Sequence, residues 1–139
     1  MSDLCVRDCM HEGVISCSPE AGLEEVASVM RERGISAVVV MQDGLLAGLI
    51  SKTDLVNASF IEPYMRYWRG MVARHLMTAP VVSIRPEAPL VEALTLLRAR
   101  RIHRLVVAEP AAGGERPVGI LSVTDIAEAL GDRPVPSEP

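Results

Sequence analysis

Gly48-Leu49-Ile50-Ser51-Lys52-Thr53-Asp54 returns as Gly119-Ile120-Leu121-Ser122-Val123-Thr124-Asp125. Upstream, Val14-Ile15-Ser16-x-x-Pro19-Glu20-Ala21-x-Leu23-x-Glu25 returns as Val81-Val82-Ser83-x-x-Pro86-Glu87-Ala88-x-Leu90-x-Glu92. Two copies of one supersecondary unit in a short chain imply a pseudo-twofold body, so the repeat governs the reading of every single residue. The offset between copies is 67 residues at Met10/Met77 and 71 at Gly48/Gly119. The extra residues fall in Glu109 to Pro117, whose Pro-Ala-Ala-Gly-Gly composition predicts an exposed, mobile loop.

Within the first copy, Val14 to Ser16 reads as a short strand, and Ser18-Pro19-Glu20 offers an N-cap, a first-turn proline and an acidic residue for a helix start. Leu23, Val26, Ala27 and Met30 then form one apolar helical stripe, ended by Gly34. The run Ala37 to Met41 is short and β-branched, and Asp43-Gly44 before Leu45 to Ile50 is a hairpin signal. Ser51-Lys52-Thr53-Asp54 opens the next helix, because its hydroxyls and carboxylate can satisfy free backbone N–H groups. The second copy repeats the order: a strand at Val81 to Ile84, a helix from Glu87 to about Arg100, and strands near Leu105 to Ala108 and Val118 to Leu121. Between the copies, Leu55 to Arg74 reads as largely helical around Pro63, and it carries Tyr64, Tyr67 and Trp68, a cluster that suits either packing or a partner surface. The tail from Asp132 to Pro139 holds three prolines and is expected to fray.

The bulk properties narrow the function classes. A chain of 139 residues with 49% apolar composition is expected to form one compact module, two half-domains sharing a core. A formal charge of −4 gives no general attraction to nucleic acid or anionic membrane, and 3% aromatic residues supply few stacking platforms. No apolar run reaches the ~18 residues of a spanning helix, and Met1-Ser2-Asp3 does not begin like a signal peptide, so a cytoplasmic location is expected. Cys5, Cys9 and Cys17 are odd in number and fit buried thiols of a reducing compartment; with His11 they match no common zinc spacing, so no metal is expected.

The tandem β-α-β-β-α unit, each copy closing with Gly-h-h-Ser-x-Thr-Asp (h, apolar) and carrying Gly34-Ile35-Ser36-Ala37 or Arg101-Ile102-His103-Arg104 before its second strand, resembles a pair of cystathionine-β-synthase (CBS) domains. The resemblance implies a mixed α/β (α+β) fold in which two pseudo-twofold-related repeats pack through their sheets. It places repeat 1 at residues 6–58, a connecting helical segment at 59–72, repeat 2 at 73–130 and a flexible tail at 131–139, all within one stand-alone module, residues 1–139. It also implies a regulatory role, a homodimer formed through helices, and no enzyme activity. The ligand it implies is adenosine-containing, namely AMP, ADP, ATP or S-adenosylmethionine, with no required cofactor and an unidentified regulated protein as partner.

By that resemblance, each cleft joins strand residues of one copy to the Ser-x-Thr-Asp of the other. One cleft combines Ser16, Ile35, Ser36 and Ala37 with Ser122, Thr124 and Asp125; the other combines Ser83, Ile102, His103, Arg104 and Leu105 with Ser51, Lys52, Thr53 and Asp54. The residue chemistry agrees: a carboxylate suits the adjacent hydroxyls of a ribose, and hydroxyls with free N–H groups at a helix start suit a phosphate. Thr-Asp at a helix start is ordinarily just a cap; its recurrence inside the repeat is what favours the binding role. Lys52 is the chain's single lysine, and Val123 stands at its equivalent, so the Lys52 cleft is expected to bind phosphate more tightly. His103 beside Ser51 and Asp54 does not make a hydrolase, because no nucleophile-elbow motif accompanies it. The rival reading is a ligand-free structural or protein-interaction module using the Tyr64/Tyr67/Trp68 surface.

Overall fold

The computed structural model describes residues 4–60 and 70–131. The element order is α1 (Val6–Cys9), β1 (His11–Glu12), β2 (Ser16–Cys17), α2 (Leu23–Arg33), β3 (Ala37–Gln42), β4 (Leu45–Ser51), α3 (Lys52–Phe60), α4 (Ala73–Leu76), β5 (Ser83–Ile84), α5 (Leu90–Arg100), β6 (Arg104–Ala111), β7 (Gly114–Ser122) and α6 (Val123–Gly131). The fold is mixed α/β with two sheets, ordered β2-β3-β4 and β1-β7-β6-β5. Tyr64, Tyr67, Trp68, Pro63 and the tail after Gly131 lie outside the described residues.

The chain divides into two compact units, and these do not coincide with the sequence repeats. One comprises residues 14–81 with 110–116; the other comprises 1–13, 82–109 and 117–139. In the first, β2 runs parallel to β3 with Ser16 opposite Val39, and β3 pairs antiparallel with β4 with Ala37 opposite Ser51. Asp43 and Gly44 both take positive φ, 56° and 79°, so the Asp-Gly turn forms the expected hairpin. Leu23, Val26 and Met30 of α2 bury against Val38, Val40 and Ile50, which is the stripe read from the 3.6-residue period meeting one face of a period-two sheet. In the other unit, Leu90, Ala93 and Leu97 of α5 bury with Leu105, Val107, Leu121 and Ile126. Most of the buried apolar residues described fall into two clusters, one beneath each long helix.

Each copy's leading segment packs on the body of the other copy. Val6 N–H donates to Ala88 O at 2.9 Å and Arg7 N–H to Pro86 O at 2.8 Å; Ala73 N–H donates to Ala21 O at 2.8 Å and Arg74 N–H to Pro19 O at 2.8 Å. These are the same contacts, shifted by one repeat.

The exchange also corrects the helix starts expected from sequence. Helices α2 and α5 begin at Leu23 and Leu90, with no side-chain cap. Ser18-Pro19-Glu20 forms a turn ahead of α2, in which Ala21 N–H donates to Ser18 O at 3.1 Å. The leaders' backbone satisfies the open helix ends instead: Leu23 N–H donates to Met71 O and Leu90 N–H to Leu4 O.

A second correction concerns Glu109 to Pro117. The inserted residues lengthen β6 and β7 around a turn at Ala112-Gly113, with Gly113 at φ 88°. Once the strands pair, continuing the hydrogen-bond ladder satisfies backbone groups that a loose loop would leave to water.

Candidate functional site

The repeated Ser-x-Thr-Asp stands at the start of α3 and again at the start of α6. At α3, Ser51 N–H donates to Asp54 Oδ2 at 2.9 Å and Asp54 N–H donates to Ser51 Oγ at 3.0 Å. At α6, Ser122 N–H donates to Asp125 Oδ2 at 2.8 Å and Asp125 N–H donates to Ser122 Oγ at 3.1 Å. Each motif is therefore a reciprocal cap that closes two backbone donors at once. The cap uses Oδ2 in both copies, so the other oxygen, Oδ1, takes no part in it. An ionised carboxylate offers about four lone-pair positions, so capping and a second acceptor role are compatible.

Backbone bonds bring a second piece to each motif. Lys52 N–H donates to Ser36 O at 2.8 Å, and Val123 N–H donates to His103 O at 2.9 Å. With Ala37 opposite Ser51, the first unit gathers Ser36, Ala37, Ser51, Lys52 and Asp54; the other gathers His103, Ser122, Val123 and Asp125. Thr53 and Thr124 are exposed on the first turns beside them. Ile35 and Ile102 lie half-buried against their own cores. Ser16 on β2 is exposed, Ser83 on β5 is half-buried opposite Val106, and Arg104 is half-buried at the start of β6. Leu105 is fully buried in the core, which leaves its backbone but not its side chain for a ligand.

The two carboxylates differ in surroundings. Asp54 is half-buried, whereas Asp125 is only 7% exposed and is the one buried charged residue among those described. His11 Nε2 lies 2.9 Å from Asp125 Oδ1, and its own side chain is 78% exposed. A carboxylate removed from water needs such a partner, because an unpaired buried charge is costly. Sequence reasoning missed this role for His11, which it weighed only as a soft metal ligand. Among the described residues no group of three or more His, Cys, Asp or Glu is arranged to hold a metal ion. Cys5, Cys9 and Cys17 are free thiols. Burial pushes the Cys9 thiol up, helped by Asp8, Cys5 and Asp125, and burial with Glu25 does the same to Cys17. Cys9 and Cys17 are thus poorer thiolates than a solvated cysteine.

Lys52 is exposed on the first turn of α3, where its charge adds to the positive end of the helix rather than offsetting it. No helix among the described residues is long and apolar enough to cross a membrane.

The CBS domain matches the chain twice, over residues 6–60 and 73–132. The chain belongs to the CBS domain family. Relatives of this CBS pair include the CBS domain-containing protein YhcV of Bacillus subtilis, 28% identical over 122 residues, 88% of this chain and 82% of that protein. The 5'-AMP-activated protein kinase subunit gamma-3 of Homo sapiens is 27% identical over 104 residues, 71% of this chain but 21% of its own length. Among solved structures, CBSX2 in complex with AMP superimposes with a TM-score of 0.77 at 24% identity, covering 91% of this chain and 95% of that one. The CBS domain pair of protein MJ0100, in complex with 5'-methylthioadenosine and S-adenosyl-L-methionine, gives 0.78 at 19% identity, covering 92% and 96%. At these identities the likeness establishes the CBS fold.

Proposed function

We propose that the chain is a non-catalytic regulatory module that binds an adenosine-containing ligand, AMP, ADP, ATP or S-adenosylmethionine, and signals its occupancy to a partner protein. The observation that carries this reading is the doubled Ser/Asp cap, which spends only one carboxylate oxygen at each helix start. Asp54 and Asp125 are assigned to ribose hydroxyls, and the hydroxyls of Ser51, Thr53, Ser122 and Thr124 to phosphate. Ile35 and Ile102 are assigned to the purine faces, with Ser16, Ser36, Ala37, Ser83, His103, Arg104 and the Leu105 backbone around the base. The combination of strand residues from one copy with the helix start of the other rests on the family resemblance alone. Support for the ligand class comes from CBSX2 and MJ0100, whose structures hold AMP and S-adenosyl-L-methionine. Exposed Val56 and Phe60 on α3, and Val123 and Leu130 on α6, suit the proposed homodimer.

A thermal-shift panel of AMP, ADP, ATP and S-adenosylmethionine tests the reading. A ligand held only by the folded state at ~100 times its Kd stabilises by about 2.7 kcal/mol, so at least one should raise the melting temperature by several degrees. Asp54→Ala and Asp125→Ala should each remove part of that shift, and Lys52→Ala should weaken phosphate-bearing ligands most. No shift at millimolar concentration for any ligand would favour the ligand-free interaction module instead.

A further inference from the structure

The two copies supply an internal control for Asp125. His11 follows Met10 as Thr78 follows Met77. The pairing agrees with that equivalence: His11 sits opposite Ile120, and Thr78 sits opposite Leu49, the residue that corresponds to Ile120. At this one position the copies carry different chemistry. His11 reaches Asp125 Oδ1 at 2.9 Å, whereas among the described residues Thr78 makes no side-chain bond to Asp54. Close approach of the leader is built into both copies, because a Cβ on Gly119 would meet the His11 carbonyl and one on Gly48 would meet the Met77 side chain. The imidazole is therefore delivered to the carboxylate by the backbone.

The geometry points to His11 as a specificity-determining residue that holds Oδ1 of Asp125, the oxygen the cap leaves over, and so makes the two carboxylates unequal as ribose acceptors. The inference rests on the ribose assignment above. A diol approaching Asp125 must compete with the His11 N–H for a carboxylate whose side chain is only 6% exposed, while among the described residues a diol approaching Asp54 meets no such rival. Because the His11 side chain is mostly exposed, it can turn outward without disturbing the core, and the competition is an equilibrium rather than a permanent block. Lys52 acts on the other carboxylate's helix, so the two asymmetries are separable by mutation.

Calorimetric titration with AMP tests this in an Asp54→Asn background, where Asp125 is the remaining carboxylate. Adding His11→Thr, the residue native to the equivalent position, should tighten AMP binding about tenfold, and His11→Ala should do the same. Unchanged or weaker binding in both variants, with circular dichroism showing the fold intact, overturns the role of His11. If Asp125→Asn weakens AMP while the His11 variants leave it unmoved, the ribose assignment stands and only the His11 inference falls. If neither Asp54→Asn nor Asp125→Asn alters AMP binding, the ribose assignment itself falls and takes this inference with it.

Discussion

Gly48 and Gly119 open the repeated motif for a steric reason that is independent of any ligand. A Cβ on Gly119 would clash with the backbone carbonyl of His11, and one on Gly48 would clash with the side chain of Met77. The close atoms at Gly48 include the Met77 Cβ at 2.9 Å, which moves only with its backbone, so neither site can relieve the clash by rotating a side-chain end. Gly119→Ala and Gly48→Ala are therefore each expected to cost about 1–3 kcal/mol. Paired urea melts check both, and an unchanged midpoint for either variant would contradict the steric role. At this scale the sequence exposed the doubled Ser and Asp because each acts within four residues of the other. It could not expose His11, whose partner Asp125 lies far along the chain and is met only after folding.

The ends of the long helices show how one element tolerates different residues. Helix α2 stops at Gly34 with φ 64°, where the Gly34 N–H donates to Met30 O. Helix α5 stops at its equivalent, Arg101, with φ 54°. Glycine meets no Cβ penalty in this left-handed conformation, whereas an L side chain costs about 1 kcal/mol or more. Arg101→Gly is accordingly expected to stabilise the protein by about 1 kcal/mol, read as a rise in the urea midpoint without change of slope. A fall would show that the arginine side chain makes contacts worth more than the strain. The stripe of α2, the Asp-Gly hairpin and the stop at Gly34 were all legible, since each depends on neighbours within a turn or two. The helix starts are not legible for the opposite reason: their open N–H groups are satisfied by Met71 and Leu4, residues remote in sequence.

For the whole molecule, the defining feature is the exchange of leaders between the copies. Val6 is fully buried in the cluster that contains Leu90 and Leu97, although it belongs to the first repeat. Val6→Ala should cost about 2 kcal/mol from lost apolar burial and the cavity left behind. Combined with Leu90→Val it should show a coupling of ~0.5 kcal/mol or more, and with Leu23→Val almost none. The reverse result would mean that the leader packs on its own copy's helix.

The sequence by itself determined that the chain is built twice from one unit, where most strands and helices run, and which side chains recur at the helix starts. Those follow from periodicity, turn chemistry and capping, interactions that span a few residues. Only the tertiary structure decided which body each leader joins, that the insertion extends a hairpin, and that one of two identical aspartates is buried against a histidine. Each of those outcomes depends on burying apolar surface and satisfying polar groups between segments far apart in the chain, and the repeat pattern serves either partner equally well.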